Sequence, residues 1–171
     1  NLIKKYKPDE FYNLAAMSHV GISFYTGEAT LNINTVASYR ILESILKNHK
    51  KCKFYQASSS EMFGSTPPPQ NEKSSFNPQS PYGISKVAAF HTTKYFRQAH
   101  GLFASNGILF NHESPRRGSN FVTNKVAKAA ARIKLGLQDK LELGNMDSYR
   151  DWGHSYDYVR AMHLMMQQDE P

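Results

Sequence analysis

The sequence predicts an α/β fold in which a parallel sheet is doubly wound by helices, and three observations carry that expectation. Short apolar runs of strand length, at residues 10–16, 53–59 and 102–110, alternate with longer stretches whose apolar residues recur at helical spacing. Each run gives way to small or polar residues, as strands do where they reach the edge of an open sheet. The connections are long enough for crossover helices, and strand, helix, strand, helix, strand is the order a covered parallel sheet requires.

The elements follow in order. Residues 10–16, EFYNLAA, come after Pro8 and Asp9 and have the length of a buried strand. From 28 to 50 the apolar residues Ile33, Val36, Ala37, Ile41, Leu42, Ile45 and Leu46 keep helical spacing. Residues 53–59, KFYQASS, are aromatic at first and end in small hydroxyl side chains, which reads as a second strand. Five of the eight prolines lie between 64 and 81, so that segment is mostly loop. Ser80 then offers an N-cap oxygen and Pro81 a preset φ, which predicts a helix from 81 to about 100 with Ile84, Val87, Ala88 and Phe96 on its buried face. After Gly101, LFASNGILF is a third strand, and VTNKVAKAAARIKLG a further helix closed by Gly136.

Composition narrows the class. With 171 residues and 40% hydrophobic content the chain can form one globular domain or a piece of a larger one. It has no apolar run of membrane-spanning length and no signal-peptide pattern, so a soluble protein without a membrane partner is expected. Cys52 is the only cysteine and cannot form an internal disulfide, which favours a reducing, cytoplasmic setting. The net charge of +7 is spread over helical stretches without a dense basic run, so nucleic acid is not an expected partner, although a nucleotide diphosphate suits the same excess. The chain starts at Asn1 without a methionine and stops at Asp169, Glu170 and Pro171, so both ends look cut.

Ligands of open parallel sheets gather beyond the carboxyl ends of the strands. There the sequence offers 13–18, 58–61 and 111–117, the last with His112, Glu113, Arg116 and Arg117 in NHESPRRG. Polar composition is also what any loop shows. Tyr82 and Lys86 in SPYGISK are four apart and share a helix face, where a cation would stabilise phenolate and make a proton shuttle. The same spacing is common in helices with no catalytic role. Ser58, Ser59, Ser60 and Glu61 could bind a sugar or carbonyl oxygen and remove a carbon-bound proton, or form a capping box. The seven histidines are dispersed without zinc-type spacing, so no metal site is expected.

Taken together, YNLAAMSHV, FYQASSSEMFG, SPYGISK, NGILFNHESPRRG, FVTNK and LGNMDSYRDWGHSYDYVRAM resemble the GDP-mannose 4,6-dehydratases of the extended short-chain dehydrogenase/reductase superfamily. Tyr82 and Lys86 carry only the superfamily likeness; NHESPRRG and RDWGH carry the narrower one. The resemblance implies a Rossmann-type domain, with 1–119 its carboxyl-terminal half and 120–171 mainly the start of a smaller nucleotide-sugar region. It implies bound NADP, reduced and reoxidised in one cycle that turns GDP-mannose into GDP-4-keto-6-deoxy-mannose and water. Tyr82 then takes the O4 proton, Lys86 holds the nicotinamide ribose, Ser59 bonds O4, and Glu61 removes the C5 proton. Leu14, Ala15, Ala16, Met17 and Ser18 run beside the cofactor, His112 and Arg117 contact it, and Asn111, Lys125 and Arg150 hold the nucleotide sugar.

The sequence also departs from that pattern. Ser59 stands where threonine is common, Ala29 where a cofactor-facing tyrosine is frequent, and Asn124 where arginine usually precedes the lysine. The glycine-rich turn and first three strands of the fold would precede Asn1, so the 171 residues alone are expected to bind NADP poorly and not to turn over. The resemblance also implies assembly of the parent protein as a homodimer or homotetramer. Two other readings compete: a dehydratase or epimerase of another nucleotide sugar, and a catalytically silent truncated binding or assembly subunit.

Overall fold

A computed structural model describes residues 2–171. The chain forms two compact units, Asn1–Leu109 with Ala161–Pro171, and Phe110–Arg160. The last residues, Ala161–Pro171, thus pack with the first unit.

The first unit holds a parallel sheet ordered β1-β2-β3, with β1 Glu10–Asn13, β2 Lys53–Ser59 and β3 Ala104–Leu109. Its registers pair Asn13 with Gln56 and Ser59 with Leu109, so the three strands run the same way and end along one edge. β2 has the limits its sequence predicts, whereas β1 stops at Asn13, short of Ala16. The buried Asn13 amide donates to Gln56 Oε1 at 2.9 Å and Ser38 Oγ at 3.1 Å, and the chain beyond leaves the ladder. The run 102–110 is likewise shorter as a strand: β3 ends at Leu109, and Asn111–Glu113 forms β4 of the second unit.

The helix expected over 28–50 is built from pieces. A short α1, Leu2–Tyr6, precedes β1, and a single turn, α2 Val20–Ser23, precedes α3 Gly27–Leu31; a π-helical turn Asn32–Val36 then leads into α4 Ala37–Asn48. The π turn accommodates an extra residue and changes the phase of the apolar series. Leu42 and Ile45 are fully buried, but Ile33 and Val36 are 46% and 40% exposed, and Thr30, Asn34 and Ser38 are buried in their place. Those polar side chains are hydrogen-bonded: Thr30 Oγ1 donates to Thr26 O at 2.8 Å and Ser38 Oγ to Asn34 O at 2.7 Å. Burial without such partners would cost each hydroxyl a few kcal/mol, on the order of 1–3.

α5, Pro81–His100, matches its predicted limits. Ser80 Oγ accepts from Gly83 N at 3.0 Å, and Gly101, at φ 63°, ends the helix in the left-handed conformation that its missing Cβ permits. Phe96 is buried as expected, but Ile84 is 49% exposed; the inward face carries Tyr82, Ser85, Lys86, Ala89 and Thr93. The core under the sheet joins Ile3, Leu42, Ile45, Cys52, Phe54, Phe96, Leu102 and Ala104. Each large apolar side chain removed from water there contributes roughly 1.5–3 kcal/mol.

In the second unit β4 pairs in parallel with β5, Trp152–His154, and α6, Val122–Lys134, is followed by Gly136 at φ 68°, the helix stop read from sequence. α7, Ser155–Met166, runs on into the first unit, where Lys53 Nζ donates to Met166 O and Gln168 O, both at 2.8 Å. Among the described residues no helix is long and apolar enough to cross a membrane.

Candidate active site

Ser59, Glu61, Tyr82 and Lys86 all lie in the first unit, at the carboxyl end of β2 and on the first turns of α5. Ser59 closes the strand, and its Oγ accepts from Glu61 N at 3.2 Å, capping the 3-10 turn Ser60–Met62. The capping box foreseen for SSSE is thus replaced by a single cap from Ser59, since Ser58 Oγ donates instead to Asn106 Oδ1 at 3.2 Å; the cap leaves the Ser59 hydroxyl proton available to an outside acceptor. The Glu61 backbone also lies close to α5. A Cβ at Gly83 would lie 2.7 Å from Glu61 O, so only glycine lets the acidic turn approach the turn that bears Tyr82. Ser59, Glu61 and Tyr82 are thereby gathered at one strand end.

Lys86 is 4% exposed, and its Nζ donates to Ala57 O on β2 at 2.9 Å. Burial pulls its pKa down to about 8, so it keeps its charge through most of the neutral range. Nζ lies 5.8 Å from the Tyr82 ring centroid. Tyr82 itself stands in the first turn of the twenty-residue α5. One lysine proton goes to Ala57; an ammonium carries three.

The Tyr82 backbone is held on both sides. Its N–H donates to Ser23 Oγ at 3.2 Å, and its carbonyl accepts from Ser85 Oγ at 2.7 Å. Ser85 Oγ in turn accepts from Asn34 Nδ2 at 2.9 Å. The Asn34 amide also spans both backbone groups of Met17, accepting from its N at 2.9 Å and donating to its O at 3.0 Å. So the loop Leu14, Ala15, Ala16, Met17 and Ser18, which leaves β1 at the same sheet edge, is tied through the π turn to the helix start. Leu14, Ala15 and Ser18 are exposed, Ala16 and Met17 half-buried. Sequence reasoning missed Ser23, Asn34 and Ser85; the one available signal was polar residues set four apart, at Thr30, Asn34 and Ser38, within an apolar helical pattern.

The other expected residues lie in the second unit. His112 Nδ1 is 2.8 Å from Phe110 O, and its ring stacks on Tyr158 at 4.8 Å. The Arg117 guanidinium covers the Phe121 ring at 3.6 Å, and its Nε lies 3.2 Å from Glu113 Oε2. That contact is an ion pair too poorly aligned to count as a hydrogen bond, which leaves the buried Nε without one. Glu113 also accepts from Thr123 Oγ1 at 2.5 Å, and Asn124 Nδ2 donates to Arg117 O. Asn111 is half-buried on β4; Lys125 and Arg150 are exposed, donating to Glu142 O at 3.0 Å and Tyr149 O at 2.7 Å. A cleft of about 650 Å³ opens here beside Glu113, Thr123, Asn124, Trp152 and His154. Among the described residues no cluster of three or more His, Cys, Asp or Glu side chains could hold a metal ion.

The profile of a family described as GDP-mannose 4,6 dehydratase matches residues 1–171. The chain is 56% identical over 169 residues to GDP-mannose 4,6 dehydratase 1 of Arabidopsis thaliana, covering 96% of this chain and 47% of that protein. It is 50% identical over 177 residues to the human GDP-mannose 4,6 dehydratase, covering 99% and 46%. Among solved structures, RMD from Pseudomonas aeruginosa complexed with NADPH is similar with a TM-score of 0.89 at 28% identity, over 95% of this chain and 57% of that one. The chain thus spans about half the length of the curated relatives it matches. A match along its whole length, on top of an α/β unit with Tyr82 and Lys86 at its sheet edge, shows that the chain belongs to the GDP-mannose 4,6-dehydratase family.

Proposed function

We propose that the complete protein carrying this chain dehydrates GDP-mannose to GDP-4-keto-6-deoxy-mannose with NADP as its resident redox partner. The observation that carries the reading is the buried Lys86 ammonium, held on Ala57 O and facing the Tyr82 ring, beside the Ser59 and Glu61 turn. Family membership and the NADPH complex of the similar RMD structure support it.

The residues present fit a nicotinamide nucleotide. Lys86 is a buried cation with one proton on Ala57 O and two for outside acceptors, such as ribose hydroxyls. The alanines of the loop after β1 leave room for a flat group to approach its backbone. When bound, NADP supplies a hydride acceptor and donor, so that sugar oxidation and reduction cancel within one turnover.

Tyr82 takes the proton from the sugar O4 as C4 is oxidised, with Lys86 stabilising the phenolate that precedes the transfer. Ser59 donates to O4 and holds it in place. Glu61 then removes the C5 proton, made acidic by the 4-ketone, and passes it to the C6 hydroxyl, which leaves as water; the 5,6-alkene so formed would take back the hydride at C6 and a proton at C5, giving the 6-deoxy sugar. His112 and Arg117 serve the cofactor, and Asn111, Lys125 and Arg150 the nucleotide sugar, where a guanidinium and an ammonium suit a diphosphate. Assembly as a homodimer or homotetramer fits the exposed apolar side chains Ile33, Val36, Tyr39, Ile84 and Tyr95. A cytoplasmic setting fits the single buried thiol of Cys52.

Incubating the complete protein with GDP-mannose and following the sugar by NMR tests this. A 4-keto-6-deoxy product with no net change in NADP is expected. Epimerised sugar, or no reaction, would sink it.

A further inference from the structure

We propose that Ser23 is a positioning residue for Tyr82, acting as an N-cap supplied to α5 from a distant part of the chain. The inference rests on the proposed role of Tyr82 in the dehydration. A helix leaves its first N–H groups without partners inside the helix. In α5, Pro81 has no N–H, Gly83 N donates to the local cap Ser80 Oγ at 3.0 Å, and Ile84 N donates to Ser80 O at 2.9 Å. The Tyr82 N–H lies between these, and Ser23 Oγ accepts it at 3.2 Å across 59 positions of sequence.

Ser23 is well placed for that task. It is fully buried at the end of α2, and its hydroxyl proton is committed to Val20 O at 2.6 Å, which turns the oxygen lone pairs outward. α2 is itself anchored at its start, where Ile22 N donates to His19 Nδ1 at 3.2 Å, directly after the loop Leu14, Ala15, Ala16, Met17 and Ser18. The segment beyond Ser23 also touches the helix start, since a Cβ at Gly27 would lie 3.7 Å from Pro81 Cβ. Ser23 therefore refers the backbone of Tyr82 to the segment that leaves β1 at the ligand edge. With the hydroxyl removed, the first turn keeps its local cap but loses this reference. The phenol then samples positions away from the sugar O4, and misplacement of about 1 Å is enough to slow a reaction roughly a hundredfold.

The test compares Ser23→Ala and Ser23→Cys with wild type in the complete protein. Cysteine nearly restores the volume but accepts hydrogen bonds weakly. We expect kcat to fall roughly ten- to a hundredfold in both variants, with KM for GDP-mannose within about twofold. Amide exchange at Tyr82 should accelerate about tenfold, the worth of one net hydrogen bond, while the far end of α5 is unchanged. Unchanged kcat in both variants, or kcat restored by cysteine, would assign Ser23 to packing alone. Unchanged exchange at Tyr82 would remove the cap itself. If Ser23→Ala fails to fold, Ser23→Cys carries the same comparison. If wild type is inert toward GDP-mannose, the proposed reaction fails and the exchange data still decide for or against the cap.

Discussion

Replacing Lys86 with methionine should remove activity and yet stabilise the fold at neutral pH, and the sign should reverse in alkali. At 4% exposure the ammonium has almost no water, and burial brings its pKa from 10.5 to about 8. At ~1.4 kcal/mol per pH unit that difference corresponds to about 3 kcal/mol of cost to the folded state while the lysine is charged. Methionine has similar volume and no charge, so it escapes the cost but gives up the bond to Ala57 O. That carbonyl keeps Gln56 Nε2 at 3.2 Å, so the loss falls at the low end, about 1 kcal/mol. The net gain at neutral pH is about 2 kcal/mol. Because the folded lysine holds its proton less tightly than the unfolded one, wild-type stability rises with pH between about 8 and 10.5, and the full cost applies below that window. Methionine does not titrate. The difference between the proteins should therefore shrink through the window and end with wild type ahead by about 1 kcal/mol. Urea titrations of both proteins near pH 7 and pH 10 read it directly. A difference independent of pH, or a methionine variant already weaker at neutral pH, would refute the desolvated ammonium.

Three further outcomes follow from named contacts. Tyr82→Phe should lower kcat by at least about 10²-fold while leaving sugar-nucleotide binding intact, checked by steady-state kinetics beside equilibrium binding. Gly107→Ala should cost about 1–3 kcal/mol in thermal unfolding, since the new Cβ would lie 1.9 Å from Tyr55 Oη; an unchanged melting curve would show that Tyr55 moves aside freely. Cys52, fully buried with its thiol pushed up to about 11 chiefly by desolvation, should resist alkylation at neutral pH until the protein unfolds; rapid labelling would contradict that burial.

What the sequence disclosed depended on how local the cause was. α5 could be read to the residue because Ser80, Pro81 and Gly101 act on the chain beside them, and β2 because its aromatic run ends in hydroxyl residues that turn at once into a capped 3-10 segment. Periodicity marked Ile33, Val36 and Ile84 as an apolar series but carries no information on which way it faces; the sheet side went instead to Thr30, Asn34, Ser38 and Lys86. Those groups tolerate burial only through partners, and the partners are remote: Asn34 needs Met17 and Ser85, and Lys86 needs Ala57. The π turn, the one-turn α2 and the β4 and β5 pair lacked any run long enough to show. For the site, resemblance supplied Ser59, Glu61, Tyr82 and Lys86, while only coordinates could reveal the side chains that hold Tyr82 from behind.

The division of labour between Tyr82 and Glu61 is most directly tested by one single-turnover experiment with Glu61→Gln in the complete protein. The cofactor should be reduced as C4 is oxidised and should remain reduced, with the C5 proton retained and no water lost. Rapid exchange of the C5 proton with solvent, or full conversion to the deoxy product, would contradict the account.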